Sequence, residues 1–170
     1  RPGARFHDGS EITVDDVVFS REILAAKGRP NHRFFYKQVA AVERSGRRGV
    51  TFRFKSSRNR ELPLIMGMMP ILSKASFADR KFDRVSLTPL LGSGPYVVDE
   101  VDPGRSIQYR RLKDYWARDL PSQRGQHNFD IVRYDYYRDD SAMLEAFKAG
   151  KVDLRVEHEP RLWAQAYDTP

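Results

Sequence analysis

The sequence predicts an α/β fold in which helices and strands are mixed along the chain (α+β). Apolar side chains recur at helical spacing between Val14 and Leu24, whereas they alternate with polar ones from Val50 to Lys55. Gly and Pro gather between such periodic segments, as is usual in turns. With 170 residues, of which 40% are hydrophobic, the chain is large and apolar enough to bury a core, so wholesale disorder is excluded.

The first half is predicted to form a core helix, a hairpin and a short helix. Thr13 caps a helix that runs to about Lys27, because Asp16 stands three residues later in a capping-box arrangement. Residues 39–43 and 49–55 read as two strands joined by a polar turn. Residues 61–69 form a short helix, whereas residues 75–85 favour no regular element.

The second half is predicted to contain four strands and two helices. The strands occupy residues 96–98, 106–112, 130–137 and 152–156. The first helix is capped by Asp139 or Asp140 and ends at Gly150, and the second runs from Pro160 to Tyr167. Charge thins out and Pro and Gly gather between residues 87 and 94, which predicts a domain boundary separating residues 1–88 from residues 89–170.

Composition narrows the classes of protein to consider. The longest apolar stretch, residues 64–72, is about half of the roughly 20 residues that a membrane-spanning helix needs. The absence of Cys excludes disulfides, thiolate zinc sites and a cysteine nucleophile, and the four His stand too far apart for a metal motif. The chain starts without Met and without an apolar signal segment, so we expect it to be part of a longer protein.

Two alternative functions arise from the residues themselves. A hydrolase would draw on Ser93, Asp139 and Asp140, but acidic residues at a predicted helix start are more simply caps, so neither catalysis nor a cofactor is expected. A basic nucleic-acid-binding domain would explain the net charge of +7 and the aromatic clusters. The cations are scattered, however, and carboxylates are interleaved with the aromatic residues, so this alternative is not preferred.

Four motifs, in order along the chain, resemble the bacterial extracellular solute-binding proteins of the peptide, nickel and opine type (family 5), the receptors of ABC importers. They are Phe6-His7-Asp8-Gly9 with Thr13-Val14-Asp15-Asp16-Val17, then Gly92-Ser93-Gly94-Pro95-Tyr96, Asp114-Tyr115-Trp116, and Gly150-Lys151-Val152-Asp153. Further stretches resemble the branch of YejA-like oligopeptide and microcin C receptors, at residues 59–64, 101–106, 135–139 and 145–150.

The resemblance implies a type II periplasmic-binding-protein-like fold, of which the chain is a middle part. Residues 1–88 would then form most of the small lobe and residues 89–170 part of the main lobe. A receptor of this kind is expected to be a periplasmic monomer that captures an oligopeptide and hands it to the membrane permease of an ABC transporter. It would contain no cofactor, would not insert into the membrane and would not bind nucleic acid.

The resemblance also suggests ligand-binding residues. In peptide-binding relatives the residues after the Gly-x-x-Asp motif face the cleft, and here these are Val156, Glu157 and His158. We expect Glu157 to pair with a cationic group of the ligand, and His158 to offer a hydrogen bond. The alternatives, a solvated loop carboxylate and a surface imidazole, remain open.

Three weaker candidates lie elsewhere. Asn31 and His32 belong to a segment that resembles a small-lobe contact region of the family. Ser93 lies in the glycine turn near the hinge, where exposed backbone can approach a ligand, although a purely conformational role is the simpler interpretation.

Overall fold

A computed structural model describes residues 1–167. Five helices and five strands are mixed along these residues, which confirms the mixed α/β class. The helices are α1 (Val14–Lys27), α2 (Pro30–Tyr36), α3 (Leu62–Gly67), α4 (Asp140–Lys148) and α5 (Pro160–Gln165). The strands are β1 (Val39–Ser45), β2 (Gly49–Phe54), β3 (Tyr96–Asp102), β4 (Ser106–Arg111) and β5 (Ile131–Asp135). Residues Ala75–Phe77 add one 3-10 turn.

The start of α1 confirms the predicted capping box. The backbone N–H of Asp16 donates to the Thr13 hydroxyl at 3.3 Å, and the Asp16 carboxylate accepts from the Thr13 backbone N–H at 2.8 Å. Both bonds occupy backbone groups that the first turn of a helix leaves without partners. At the other end, the N–H of Gly28 donates to the carbonyl of Leu24 at 3.0 Å.

The main core lies between α1, α2, α3 and the first hairpin. Its most buried apolar side chains are Leu24, Tyr36, Val39, Leu62 and Met69. Strands β1 and β2 pair antiparallel, and a bulge between Val39 and Ala41 shifts their register. The core therefore gathers apolar residues from short elements, none of which would be stable alone.

Two polar side chains of α1 hold the segment that follows α3. Asp16 accepts a hydrogen bond from the Lys74 backbone N–H at 2.8 Å. Ser20 is fully buried, and its hydroxyl accepts from the Leu72 N–H at 2.7 Å while donating to the Asp16 carbonyl at 2.6 Å. A polar residue inside a helix is stable here because every group it buries is paired.

The remaining strands form a three-stranded sheet with the order β3-β4-β5, which confirms the second hairpin and the strand after it. The described chain divides into two compact units, one made of residues 1–101 and 108–132 and the other of residues 102–107 and 133–167. Neither limit falls at residue 88. The assignment of residues 1–88 and 89–170 to two lobes concerns the whole receptor and stays a prediction.

One local prediction is corrected, and one helix is added to those predicted. Residues 152–156 are not a strand, because none of the strands of the described chain pairs with them and a strand needs a partner for its backbone. Residues 30–36, for which the sequence analysis made no prediction of secondary structure, form α2, which begins with Pro30 at a position where a missing N–H costs nothing. Within residues 1–167, no helix has the length and apolar character that crossing a bilayer requires.

Candidate functional site

Three of the four sequence motifs meet in one place. The backbone N–H of His7 donates to the carbonyl of Gly92 at 2.9 Å, and the His7 imidazole Nε2 lies 3.1 Å from the carbonyl oxygen of Gly94. The indole N–H of Trp116 donates to the carbonyl of Ser93 at 3.0 Å. The glycine turn is thus held from both sides by side chains of the other two motifs.

The first motif is itself a closed turn. The Asp8 carboxylate accepts from the backbone N–H of Ser10 at 2.9 Å and from its hydroxyl at 2.6 Å. These bonds, the hydroxyl bond first, lower the pKa of Asp8. Gly9 has φ 84°, which a residue with a side chain adopts only with strain, and Phe6 is buried beneath the turn. The residues of this motif therefore stabilise the turn, which is a structural role.

Substituting Gly92 tests the packing of the glycine turn. A Cβ at position 92 would lie 2.9 Å from Cε1 of His7, so we expect Gly92→Ala to lower the free energy of unfolding of the full-length protein by about 1–3 kcal/mol. Gly94→Ala is the matched control, since a Cβ there meets nothing within 4 Å, and its effect should stay within about 0.5 kcal/mol. Urea unfolding measures both. Equal losses for the two variants would contradict the proposed contact.

Ser93 enters this arrangement through its backbone, because its carbonyl oxygen is the group that Trp116 binds. Asn31 and His32 lie in α2. Asn31 is exposed, and its side-chain oxygen accepts from the backbone N–H of His32 at 2.9 Å. The His32 ring stacks on Tyr36 with 5.5 Å between centroids, which gives His32 a packing role inside the first unit. A ligand contact for these three residues stays a prediction.

Glu157 lies in an internal network with Arg155 and Tyr167. Arg155 Nη1 donates to Glu157 Oε2 and to the Tyr167 hydroxyl, which in turn donates to Glu157 Oε2 at 2.9 Å. The backbone N–H of Glu159 donates to the other carboxylate oxygen at 2.8 Å. The side chains of Arg155 and Glu157 are only 2% and 5% exposed. These bonds, that of Glu159 first, lower the pKa of Glu157 to about 2.

The side chains on either side of Glu157 are exposed. Side chains alternate along this segment, so that Leu154, Val156 and His158 are exposed while Arg155 and Glu157 are sheltered. Leu154 is 77% and Val156 62% exposed, which is unusual for apolar residues beside a buried ion pair. The predicted trio 156–158 is thus divided between one residue bound internally and two that face outward.

The acidic pair at residues 139 and 140 behaves as the capping interpretation expects. Asp139 caps α4 by accepting from the Ala142 N–H at 2.8 Å, and Asp140 lies in the first turn. That bond, and the one from Arg138, lower the pKa of Asp139. Residues 1–167 hold no group of three His, Cys, Asp or Glu side chains placed to bind a metal ion.

Sequence reasoning missed Arg155 and Tyr167 as the partners of Glu157. The signal for Arg155 was available, since oppositely charged residues two apart on one side of a segment can pair. Tyr167 lies ten residues from Glu157 and beyond α5, so only the fold brings it near.

Comparison with known protein families identifies the chain. The model of the bacterial extracellular solute-binding proteins, family 5, in its middle part, matches residues 1–170. A protein of Brucella melitensis is 45% identical over 170 residues, which are 99% of this chain and 28% of that protein. YejA of Escherichia coli is 42% identical over 169 residues (98% and 27%), and the peptidoglycan-binding protein YepA of Agrobacterium fabrum is 38% identical over 177 residues (99% and 29%).

Solved structures share the fold. The mannohexaose-bound periplasmic oligopeptide-binding protein of Thermotoga maritima superimposes with TM-score 0.76 at 21% identity, covering 98% of this chain and 31% of that one. AppA of Bacillus subtilis, in complex with a nonapeptide, gives TM-score 0.69 at 27% identity (88% and 30%). AgaA of Agrobacterium tumefaciens R10, in complex with agropinic acid, gives 0.71 at 25% (89% and 30%).

The chain spans less than a third of the length of the curated relatives that it matches. The match to the family model nevertheless extends over all 170 residues, and the periplasmic-binding-protein fold that the motifs implied is confirmed by the structural neighbours. The chain belongs to family 5 of the bacterial extracellular solute-binding proteins.

Proposed function

We propose that this chain is part of a receptor that binds oligopeptides in the periplasm and delivers them to the permease of an ABC importer. The observation that carries the proposal is the family match over residues 1–170, together with a structural neighbour that holds a nonapeptide at 27% identity. Family 5 receptors serve ABC importers and have no catalytic step, so the proposal includes no reaction and no cofactor. The receptor acts as a monomer.

The distribution of charge supports this function over nucleic-acid binding. Arginines on the first hairpin and on β4 are matched by carboxylates: Arg44 pairs with Asp15, Arg53 with Glu43, and Arg110 with Asp99. A phosphate-binding surface needs cations that are free to release counterions. Cations that already have carboxylate partners contribute little to such a surface.

Within the receptor, we propose that Val156 and His158 contact the ligand and that Glu157 holds their segment in place. The exposed side chains alternate with an ion pair that fixes the backbone between them. Because this segment is already ordered, less conformational entropy is lost when a ligand binds. For Glu157 to pair with a ligand cation, as the sequence suggested, it would have to exchange Arg155 for the ligand. That pairing stays a prediction.

Thermal unfolding of the full-length receptor with a mixed-length peptide library tests the function. A ligand stabilises only the state it binds, so peptides at about 100 times Kd should add about 2.7 kcal/mol to the free energy of unfolding. Val156→Asp should weaken peptide binding about tenfold, because it places a charge on an apolar contact. Lys151→Gln is the control, because it changes an exposed residue close by in the chain.

The outcomes separate the candidate functions. No stabilisation by peptides, combined with salt-sensitive binding to oligonucleotides, would replace the receptor proposal with the nucleic-acid one. Stabilisation by agropinic acid but not by any peptide would keep the transport function and change the ligand class. Unchanged peptide affinity in Val156→Asp would show that the ligand does not contact residues 156–158.

A further inference from the structure

A groove of about 450 Å³ lies beside the loop that joins β4 to β5, entirely within the first unit. Its volume falls in the range of small-molecule sites. The polar and aromatic side chains that line it include Arg111, Lys113, Arg118, Tyr115, Gln123 and His127. None of these residues belongs to the proposed peptide contact.

The loop beside the groove, residues 117–130, is held by hydrogen bonds from β3 and β4 and by bonds of its own. Arg111 Nη1 donates to the His127 carbonyl at 3.2 Å, and the Tyr96 hydroxyl donates to the Phe129 carbonyl at 2.8 Å. Arg124 Nε donates to the Asp119 carbonyl at 3.0 Å. A surface loop built this firmly presents its side chains in fixed positions.

His127 is the most constrained residue of this loop. Its φ of 57° makes it the sole residue other than glycine with positive φ among residues 1–167. The ring lies edge-on to Tyr96 and Tyr115, with centroids 6.0 and 6.3 Å away, and Nε2 is 3.0 Å from Gln123 Oε1. Backbone strain of this kind persists where the surrounding structure enforces it, and it concentrates at ligand sites.

The basic side chains that line the groove, Arg111, Lys113 and Arg118, outnumber its one lining carboxylate, Asp119, and a second carboxylate, Asp130, binds Arg111 from outside the lining. Arg111 binds Asp130 with a shortest separation of 2.6 Å, and Arg118 binds Asp119 at 3.3 Å. Lys113, which is exposed, forms no ion pair within the described part of the chain, although its charge helps to lower the pKa of Asp130. Asp114 does not line the groove; it lines two other cavities, one with His7 and Trp116 and one with Lys113 and Asp130.

We propose that this groove binds a small carboxylate whose remaining surface is polar, such as a sugar acid. The Lys113 ammonium takes the carboxylate, since a charge-assisted hydrogen bond is the strongest that the groove can offer. The side-chain amides of Gln123 and Gln126 bond hydroxyl groups of the ligand, and the ring of Tyr115 packs against its carbon chain. The site is independent of the peptide site.

Gluconate and its uncharged counterpart sorbitol test the proposal with the full-length receptor. Titration is followed by calorimetry and by the NMR signals of the His127 ring, which are assigned by their loss in His127→Gln. Gluconate should shift these signals in a saturable manner and sorbitol should not. Lys113→Gln should weaken gluconate binding about tenfold, whereas Lys81→Gln, an exposed lysine outside the groove, should leave it unchanged.

A second variant guards against a change in the fold. Gln126→Ala removes an amide that the proposal assigns to a ligand hydroxyl, and Gln126 is exposed, so this variant should preserve the melting temperature while it weakens gluconate binding. The proposal is overturned if gluconate leaves the His127 signals unmoved, if sorbitol shifts them equally, or if Lys113→Gln and Lys81→Gln bind gluconate alike. Peptide-induced stabilisation in Lys113→Gln should equal that of the parent receptor, so failure of this site and failure of the peptide function are distinguishable.

Discussion

Replacing Asp16 with Ala is expected to lower the free energy of unfolding by about 2–4 kcal/mol. The Asp16 residue is 6% exposed, and its carboxylate accepts from the Thr13 N–H, the Thr13 hydroxyl and the Lys74 N–H at 2.7 to 2.8 Å. Alanine would remove the buried acceptor that these three donors share, and it would release the segment after α3 from the start of α1. Urea unfolding of the full-length protein measures the loss.

Asp15→Ala is the matched control for this experiment. Asp15 lies in the same helical turn and carries the same charge, but its side chain is 48% exposed and pairs at the surface with Arg44. Its loss should cost at most about 1 kcal/mol. Similar losses in the two variants would show that the helix dipole, which both residues meet, matters more than the bonds of Asp16.

Replacing Glu157 with Gln is expected to make unfolding of the protein less sensitive to acid. Hydrogen bonds from Glu159, Arg155 and Tyr167 hold the pKa of Glu157 at about 2, below its ordinary value of 4.5. A carboxyl whose pKa is depressed by folding stabilises the protein above its unfolded pKa, and that stability is lost as the pH falls through the folded pKa. Glu157 therefore contributes fully above pH 4.5 and loses its contribution between 4.5 and about 2.

The measurement is the urea midpoint of the parent and of Glu157→Gln as a function of pH. The difference between the two should be largest at neutral pH and should shrink as the pH falls toward 2, with the parent more stable throughout. Glu145→Gln, which removes a carboxylate from the exposed face of α4, is the control. A difference that stays constant over this range would mean that Glu157 has the same pKa in the folded and unfolded chain.

The motifs were read correctly as a family signature, and some of them also as local structure. The capping box of Thr13 and Asp16 could be predicted because its bonds join residues three apart. For the same reason the cap of α4 could be narrowed to Asp139 or Asp140, of which the structure shows Asp139. The alternation of apolar and polar side chains in β2 likewise indicated a strand that pairs with one neighbour. Such features depend on short stretches of chain, which a sequence displays directly.

The sequence by itself thus determined the family, the mixed α/β class, most of the elements and the helix caps. Only the tertiary structure decided that Asp16 also holds Lys74, that His7 and Trp116 grip the glycine turn, and that Glu157 is bound by Arg155 and Tyr167. The physical reason is the distance along the chain between these partners. A hydrogen bond over many residues depends on the packing of everything between them, and no local pattern records it.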